Sequence, residues 1–393
     1  MKIDLANRWV VLGLLFLVGL TAPMQFQSVA ALGPFLTAEA GLTYTDIGLL
    51  TGLFMLPGVV LAAPMGPFST WLGDRIALVV GIALMAVSAI AFAMTDTYWV
   101  MVAARLLGGA GGVAVSVLLP KLVADWFTGR EIATAMSIIA SSVGFGIGLT
   151  TAVLPLIASQ SSWRIAILAA ASLNVLAILL LLVFYRDGTS PAGATSGGGG
   201  LLWRISRAGA VLSSLAGIGR GLFSAGYAVF MIFLPPLLIS RGMDPVQAGL
   251  MTSIAAIVAL VSVPLGGYLT DKTGKPNHFI IGGSLTTTMT CLLVPYVAPA
   301  ILWVVLFGAL RGGCTGGIMS MPSRVLRPES RNTGFAVVSA AYFVCMAALP
   351  PIAGWALDAT GDVAAPLWFG GLLWFMISVN LVAFLFLQRR WIR

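Results

Sequence analysis

The 393-residue chain keeps acids out of its interior: all 13 Asp and Glu residues fall at or near the ends of its apolar runs. Charge of either sign is scarce. Only 9% of residues are charged and 59% are hydrophobic, with a mean hydropathy of +1.02, whereas a soluble domain needs about 25% charged residues to cover its surface. A soluble globular protein is thereby excluded, and a chain that crosses a bilayer many times is indicated. Histidine occurs once, as His278, and Cys291, Cys314 and Cys345 lie in apolar runs without CxxC spacing. They read as small packing residues, with no basis for a metal centre or a disulfide framework. There is no H-E-x-x-H pattern and no phosphate-binding loop, so no enzyme, no ATP-driven pump and no cofactor is expected. The net charge of +8 is spread over short loops, which removes nucleic acid as a partner.

What the chain does have is apolar length. Runs of about 20 apolar residues mark spanning helices, here at 9–33, 44–72, 76–94, 97–124, 131–157, 163–184, 209–239, 245–270, 277–297, 299–325, 332–357 and 364–388. The first follows Lys2 and Arg8 and ends without a small-residue cleavage site, so it is expected to be retained as a span. The spans divide six and six around a polar stretch with Pro191, Ser196 and the run Gly197 to Gly200, a flexible-linker composition. The expected fold is an all-α integral membrane protein of twelve transmembrane helices in two pseudo-symmetric six-helix halves, 1–184 and 208–393, joined by a cytoplasmic linker at 185–207. Loop charge sets its orientation. Sixteen Lys and Arg residues fall on the side of the termini and two, Arg164 and Arg241, on the other, so both termini are expected in the cytoplasm.

Three arginines interrupt the apolar runs with no acid beside them: Arg105, Arg220 and Arg311. A charge at that depth is costly and is usually retained for function or paired. The stretch Arg105-Leu-Leu-Gly-Gly-Ala-Gly-Gly112 returns about 206 positions later as Arg311-Gly-Gly-Cys-Thr-Gly-Gly317. An internal repeat of this kind is characteristic of secondary transporters, which rock one half against the other around a site between them.

These features resemble the major facilitator superfamily over nearly the whole chain. The strongest match is Gly267-Tyr-Leu-Thr-Asp-Lys-Thr-Gly-Lys275, which resembles the loop signature G-x-L-x-D-[RK]-x-G-[RK] between the second and third helices of each half; Gly267, Asp271, Lys272, Gly274 and Lys275 carry it. In the first half Gly66, Gly73 and Arg75 are kept, while Thr70 stands where the aspartate is expected and Trp71 where the basic residue is. Arg105 with Gly109 and Gly111 resembles the fourth-helix signature. Gly144 and Gly148 resemble the glycine motif of drug–proton antiporters, but Leu149 replaces its proline, which weighs against an exporter. Pro120 to Glu131 and Leu349 to Gly361 look most like bacterial permeases of the cyanate and nitrate/nitrite type.

The resemblance implies a bacterial inner-membrane carrier, expected to work as a monomer, whose first and fourth helices in each half line a central cavity. Arg105 and Arg311 would then face the midplane from opposite sides. A guanidinium offers several planar donors and stays charged, which suits a carboxylate or small oxyanion. The expected partners are therefore a small anionic substrate and the lipid bilayer, and the expected function is secondary active transport by alternating access. Arg220, with Tyr227 two turns beyond it, Tyr342 and Gln25 could complete the pocket. Gln25 is preferred to Gln27, since the two point about 200° apart on a helix. The alternative to the cavity-facing reading of Arg105 and Arg311 is that each bonds helix-end carbonyls of a neighbouring helix and holds the bundle together. The alternative function is a multidrug or other small-molecule exporter of the same fold, though a cation carrier generally needs a membrane-embedded acid. A transporter-like sensor is a further class, and the short tail Gln388 to Arg393 offers no signalling domain.

Overall fold

The computed structural model describes residues 8–127, 131–185, 206–324 and 331–391. Most of the expected linker, 186–205, lies outside them. In the first half α1 (Arg8–Ala31) is followed by the short α2 (Gly33–Glu39). The second span is broken into α3 (Tyr44–Leu53), α4 (Gly58–Leu61) and α5 (Met65–Leu72). Then come α6 (Asp74–Ala93), α7 (Tyr98–Trp126), α8 (Ile132–Gln160) and α9 (Trp163–Phe184). The second half holds α10 (Arg207–Ser240), α11 (Pro245–Thr273), α12 (Pro276–Leu293), α13 (Ala300–Ser320), α14 (Arg331–Thr360) and α15 (Ala365–Trp391).

Among the described residues, eleven segments are long and apolar enough to cross a membrane by themselves. The twelfth, α12, is diluted by threonines. Thr286, Thr287, Thr288 and Thr290 each return their hydroxyl to the carbonyl four residues earlier. Their polarity is thus satisfied within the helix, and α12 packs with α13 and α15 as a full member of the bundle. The single run expected at 44–72 breaks where Pro57 and Pro64 remove backbone donors.

We call the side with the described ends Arg8 and Trp391 the terminal face, and the other the distal face. The halves meet along α3 with α14 and α8 with α11. Glycines mark the closest approaches: a Cβ on Gly48 would lie 2.5 Å from the Pro350 carbonyl oxygen, on Gly52 2.3 Å from that of Ala347, and on Gly249 2.6 Å from that of Thr151. Gly48 and Gly249 sit near the distal ends of α3 and α11, and Gly52 lies one turn deeper. Toward the terminal face the same helices turn to their own half: Ser142 of α8 contacts Gly19 of α1, Val338 of α14 contacts Gly217 of α10, and Ser262 of α11 contacts Gly312 of α13.

A carboxylate ties the distal closure. Asp358, in the last turn of α14, accepts the backbone N–H of Tyr44 at 3.2 Å and of Thr45 at 2.6 Å, and the Thr45 hydroxyl at 2.5 Å. These are the first two amides of α3, and the third, Asp46, bonds its N-cap Thr43 at 3.1 Å. The open N-terminal donors of a helix in one half are thus filled by an acid from the other.

Candidate substrate site

Arg105 and Arg311 look alike in sequence and differ in what their donors meet. Arg105 is 1% exposed. Its Nε donates to the Leu50 carbonyl at 2.8 Å, Nη1 to that of Gln25 at 2.8 Å and Nη2 to that of Phe26 at 3.1 Å. Leu50 lies in the last turn of α3, where the capping amide of Phe54 turns back to Gly52 instead, leaving the Leu50 carbonyl short of a helical partner. The Phe54 ring covers the guanidinium at 4.8 Å. Face and edges are both occupied, so the expected cavity-facing role gives way in this arrangement to binding α7 against α1 and α3.

Arg311 shows the reverse. It is 8% exposed, and its guanidinium carbon lies 3.8 Å over the Tyr227 ring and 5.1 Å over that of Phe223. A cation stacked on aromatic faces keeps its in-plane N–H groups free for a ligand. Nε is buried without a hydrogen-bond partner among the described residues, and so is the Tyr227 hydroxyl. Arg220 is half-buried, stacked 4.8 Å over Tyr342 of α14. The structure thus brings Arg311 to Tyr227, and Arg220 to Tyr342, all in the C-terminal half.

The expected symmetry of Arg105 and Arg311 fails by about one turn. Helices α7 and α13 begin at Tyr98 and Ala300, 202 positions apart rather than 206. That register places Phe307 opposite Arg105 and sets Arg311 about 6 Å deeper along its helix. Phe307 stacks on Phe230 and Tyr227. Only one half therefore carries a cation with open donors at the site.

Of the two glutamines, Gln25 serves Arg105 through its backbone carbonyl. Gln27 is fully buried, with neither amide atom partnered among the described residues. It lies one turn beyond Pro23, which packs near Gly146 of α8. The loop-signature residues sit apart from the site. Gly274 caps α11 in the left-handed region at φ 63°, and Gly73 separates α5 from α6 at φ 87°, which explains both glycines. Gly267 lies under Gly316 of α13, while no Cβ clash arises at Gly66. Asp271, Lys272 and Lys275 are exposed, Lys272 reaching over Tyr268 at 5.9 Å. Arg75 donates to the Leu182 carbonyl in the last turn of α9 at 2.6 Å. Its neighbour Asp74 makes the ion pair, with Lys121 at 2.8 Å.

Sequence reasoning missed Trp374, Phe223 and Asp358. Trp374 sits mid-span in α15, whereas membrane tryptophans favour the interfaces; that placement was the available signal.

The profile of the Major Facilitator Superfamily matches residues 15–217 and again 216–391. Over 377 residues the chain is 26% identical to the 2-nitroimidazole transporter of Escherichia coli (strain K12), covering 92% of this chain and 91% of that protein. It is 22% identical to the probable L-galactonate transporter of the same organism, covering 96% and 88%. It is 24% identical to the quinolone resistance protein NorA of Staphylococcus aureus (strain MRSA252), over 50% of this chain and 52% of that protein. Among solved structures, the inward open conformation of the xylose transporter XylE from E. coli superposes with a TM-score of 0.76 at 16% identity, covering 97% of this chain and 96% of that one. With each half matched by the same profile and the fold shared almost end to end, the protein belongs to the Major Facilitator Superfamily, a group of transporters and not of enzymes.

Proposed function

We propose that the protein is a monomeric secondary transporter of the bacterial inner membrane that carries a small anion by alternating access, in the manner of cyanate- and nitrate-type permeases. One observation carries this reading: Arg311 stacks its face on Tyr227 and keeps its Nε buried and unpaired among the described residues, on a helix without an acid and in a chain whose acids all fall at or near span ends. Loop charge makes the terminal face cytoplasmic, so the closed distal contacts correspond to an inward-facing state. The names of two relatives fit the chemistry, since a nitro group and a carboxylate both offer flat pairs of acceptor oxygens.

The mechanism follows from charge balance. An empty site holds uncompensated cations in a low-dielectric setting, which opposes occlusion. A bound anion offsets Arg311, and the loaded site closes more readily; the half-buried Arg220, two turns before Tyr227 on α10, adds to the positive charge of the same half. This favours substrate-gated crossing or exchange over leak. Proteoliposome uptake of a panel of radiolabelled small anions tests the reading: at least one should be accumulated by the wild type and lost in Arg311→Gln. Undiminished uptake in that variant would remove Arg311 from the site. The rival reading, a drug exporter, is favoured by the partial likeness to NorA and by the antiporter-like Gly144 and Gly148. Efflux of ethidium from cells expressing the chain, without anion uptake, would establish it.

A further inference from the structure

Three of the six buried polar atoms left unpaired among the described residues of the C-terminal half belong to side chains linked by ring contacts. Arg311 Nε, the Tyr227 hydroxyl and Trp374 Nε1 are each buried and without a hydrogen-bond partner among the described residues. Their side chains are 8%, 7% and 0% exposed. Ring contacts connect them: Arg311 lies over both Tyr227 and Phe223, and Phe223 meets the Trp374 ring edge-on at 5.3 Å. They come from three helices, α13, α10 and α15. All three atoms can donate, and the guanidinium and the indole can do nothing else. Buried donors left unpaired are costly, and no acid in these spans answers them.

We infer that Trp374 is a third ligand-binding donor of the anion site, and that the site takes a flat head group that accepts hydrogen bonds and offers none, such as a carboxylate, a nitro group or a nitrate-like oxyanion. The inference rests on the anion reading above and narrows it. A head group with its own O–H or N–H must turn that donor to the Tyr227 oxygen, the one atom of the three that can also accept, and so gives up one of the three donated bonds. An unpaired acceptor does exist on α15, the Asn380 Oδ1 against Gly219, but it lies six residues or about 9 Å further along the helix, beyond the span of such a group. Gly226 holds the indole in place: its Nε1 comes within 2.8 Å of where a Cβ at 226 would sit. Because Trp374 is fully covered, its bond forms as the seam between α10 and α15 opens around the head group.

Nitrate and bicarbonate separate the chemistry cleanly, since both are flat and singly charged and only bicarbonate carries an O–H donor. Isothermal titration calorimetry on the purified full chain at pH 8 should give nitrate a dissociation constant at least about tenfold lower than bicarbonate. Trp374→Phe, which keeps a ring and removes the N–H, should weaken nitrate about tenfold, the scale of one charge-assisted hydrogen bond, and Arg311→Gln should abolish nitrate binding. Equal affinity for the two anions would overturn the inference. So would wild-type nitrate affinity in Trp374→Phe while Arg311→Gln binds none, an outcome that leaves the anion reading standing. Wild-type affinity in Arg311→Gln, or no binding of either anion to the unsubstituted chain, would overturn both. Should Trp374→Phe fail to fold, the comparison of the two anions on the unsubstituted chain decides alone.

Discussion

A guanidinium in a membrane span has one face and one set of edges, and their use separates structural from binding roles. Arg105 gives its edges to three backbone carbonyls, and Arg311 gives only its face to rings. Lysine keeps the charge but loses the planar fork, so the two Arg→Lys variants should diverge. Arg105→Lys leaves buried carbonyls unpaired and should destabilise the chain by about 2 kcal/mol or more, read as a lowered thermal unfolding midpoint in detergent, with anion affinity nearly unchanged. Arg311→Lys should leave the midpoint within a degree or two and weaken anion binding at least tenfold. The sequence showed both arginines in glycine-rich helices and could not show this difference, because the Leu50 carbonyl is freed only by the break that ends α3.

At the scale of helices, the distal gate is a cap shared between halves. Asp358 supplies the acceptors for the first amides of α3, and the glycines at 48, 52 and 354 let α3 and α14 approach backbone to backbone. A carboxylate at a helix N-terminus contributes about 0.3–1 kcal/mol through the dipole, up to about 2 when partly buried. Asp358→Asn should therefore shift the halves toward a distal-open population several-fold. Spin labels at positions 39 and 360, both exposed at the distal face, should show a longer-distance component by double electron–electron resonance in that variant. An unchanged distance distribution would show that packing alone holds the gate. Bulk should act more severely: Gly52→Leu places side-chain atoms against the Ala347 carbonyl, so it should block distal closure and transport together while the chain still inserts. The proline pair Pro350-Pro351 inside α14 lies directly at this contact.

For the molecule as a whole, the six-and-six division and nearly every span boundary were legible in the sequence, because lipid imposes about 20 apolar residues per crossing and a helix satisfies its own backbone. The register of the repeat was less so. The arginines are 206 positions apart, whereas the loop glycines Gly66 and Gly267, 201 positions apart, carry the register that the helices follow. The candidate site was half legible: its charges and tyrosines could be named, but Trp374 is brought toward Arg311 by the packing of α15 against α10 and by its ring contact with Phe307 of α13. What unites these scales under the proposed function is a positive charge held within one half that an anionic substrate would offset. The most direct test is the charge that moves. On a solid-supported membrane carrying the reconstituted protein, a concentration jump of a transported anion should displace negative charge inward in the wild type and none in Arg311→Gln. Displacement of positive charge, or an Arg311→Gln current equal to that of the wild type, would contradict the account.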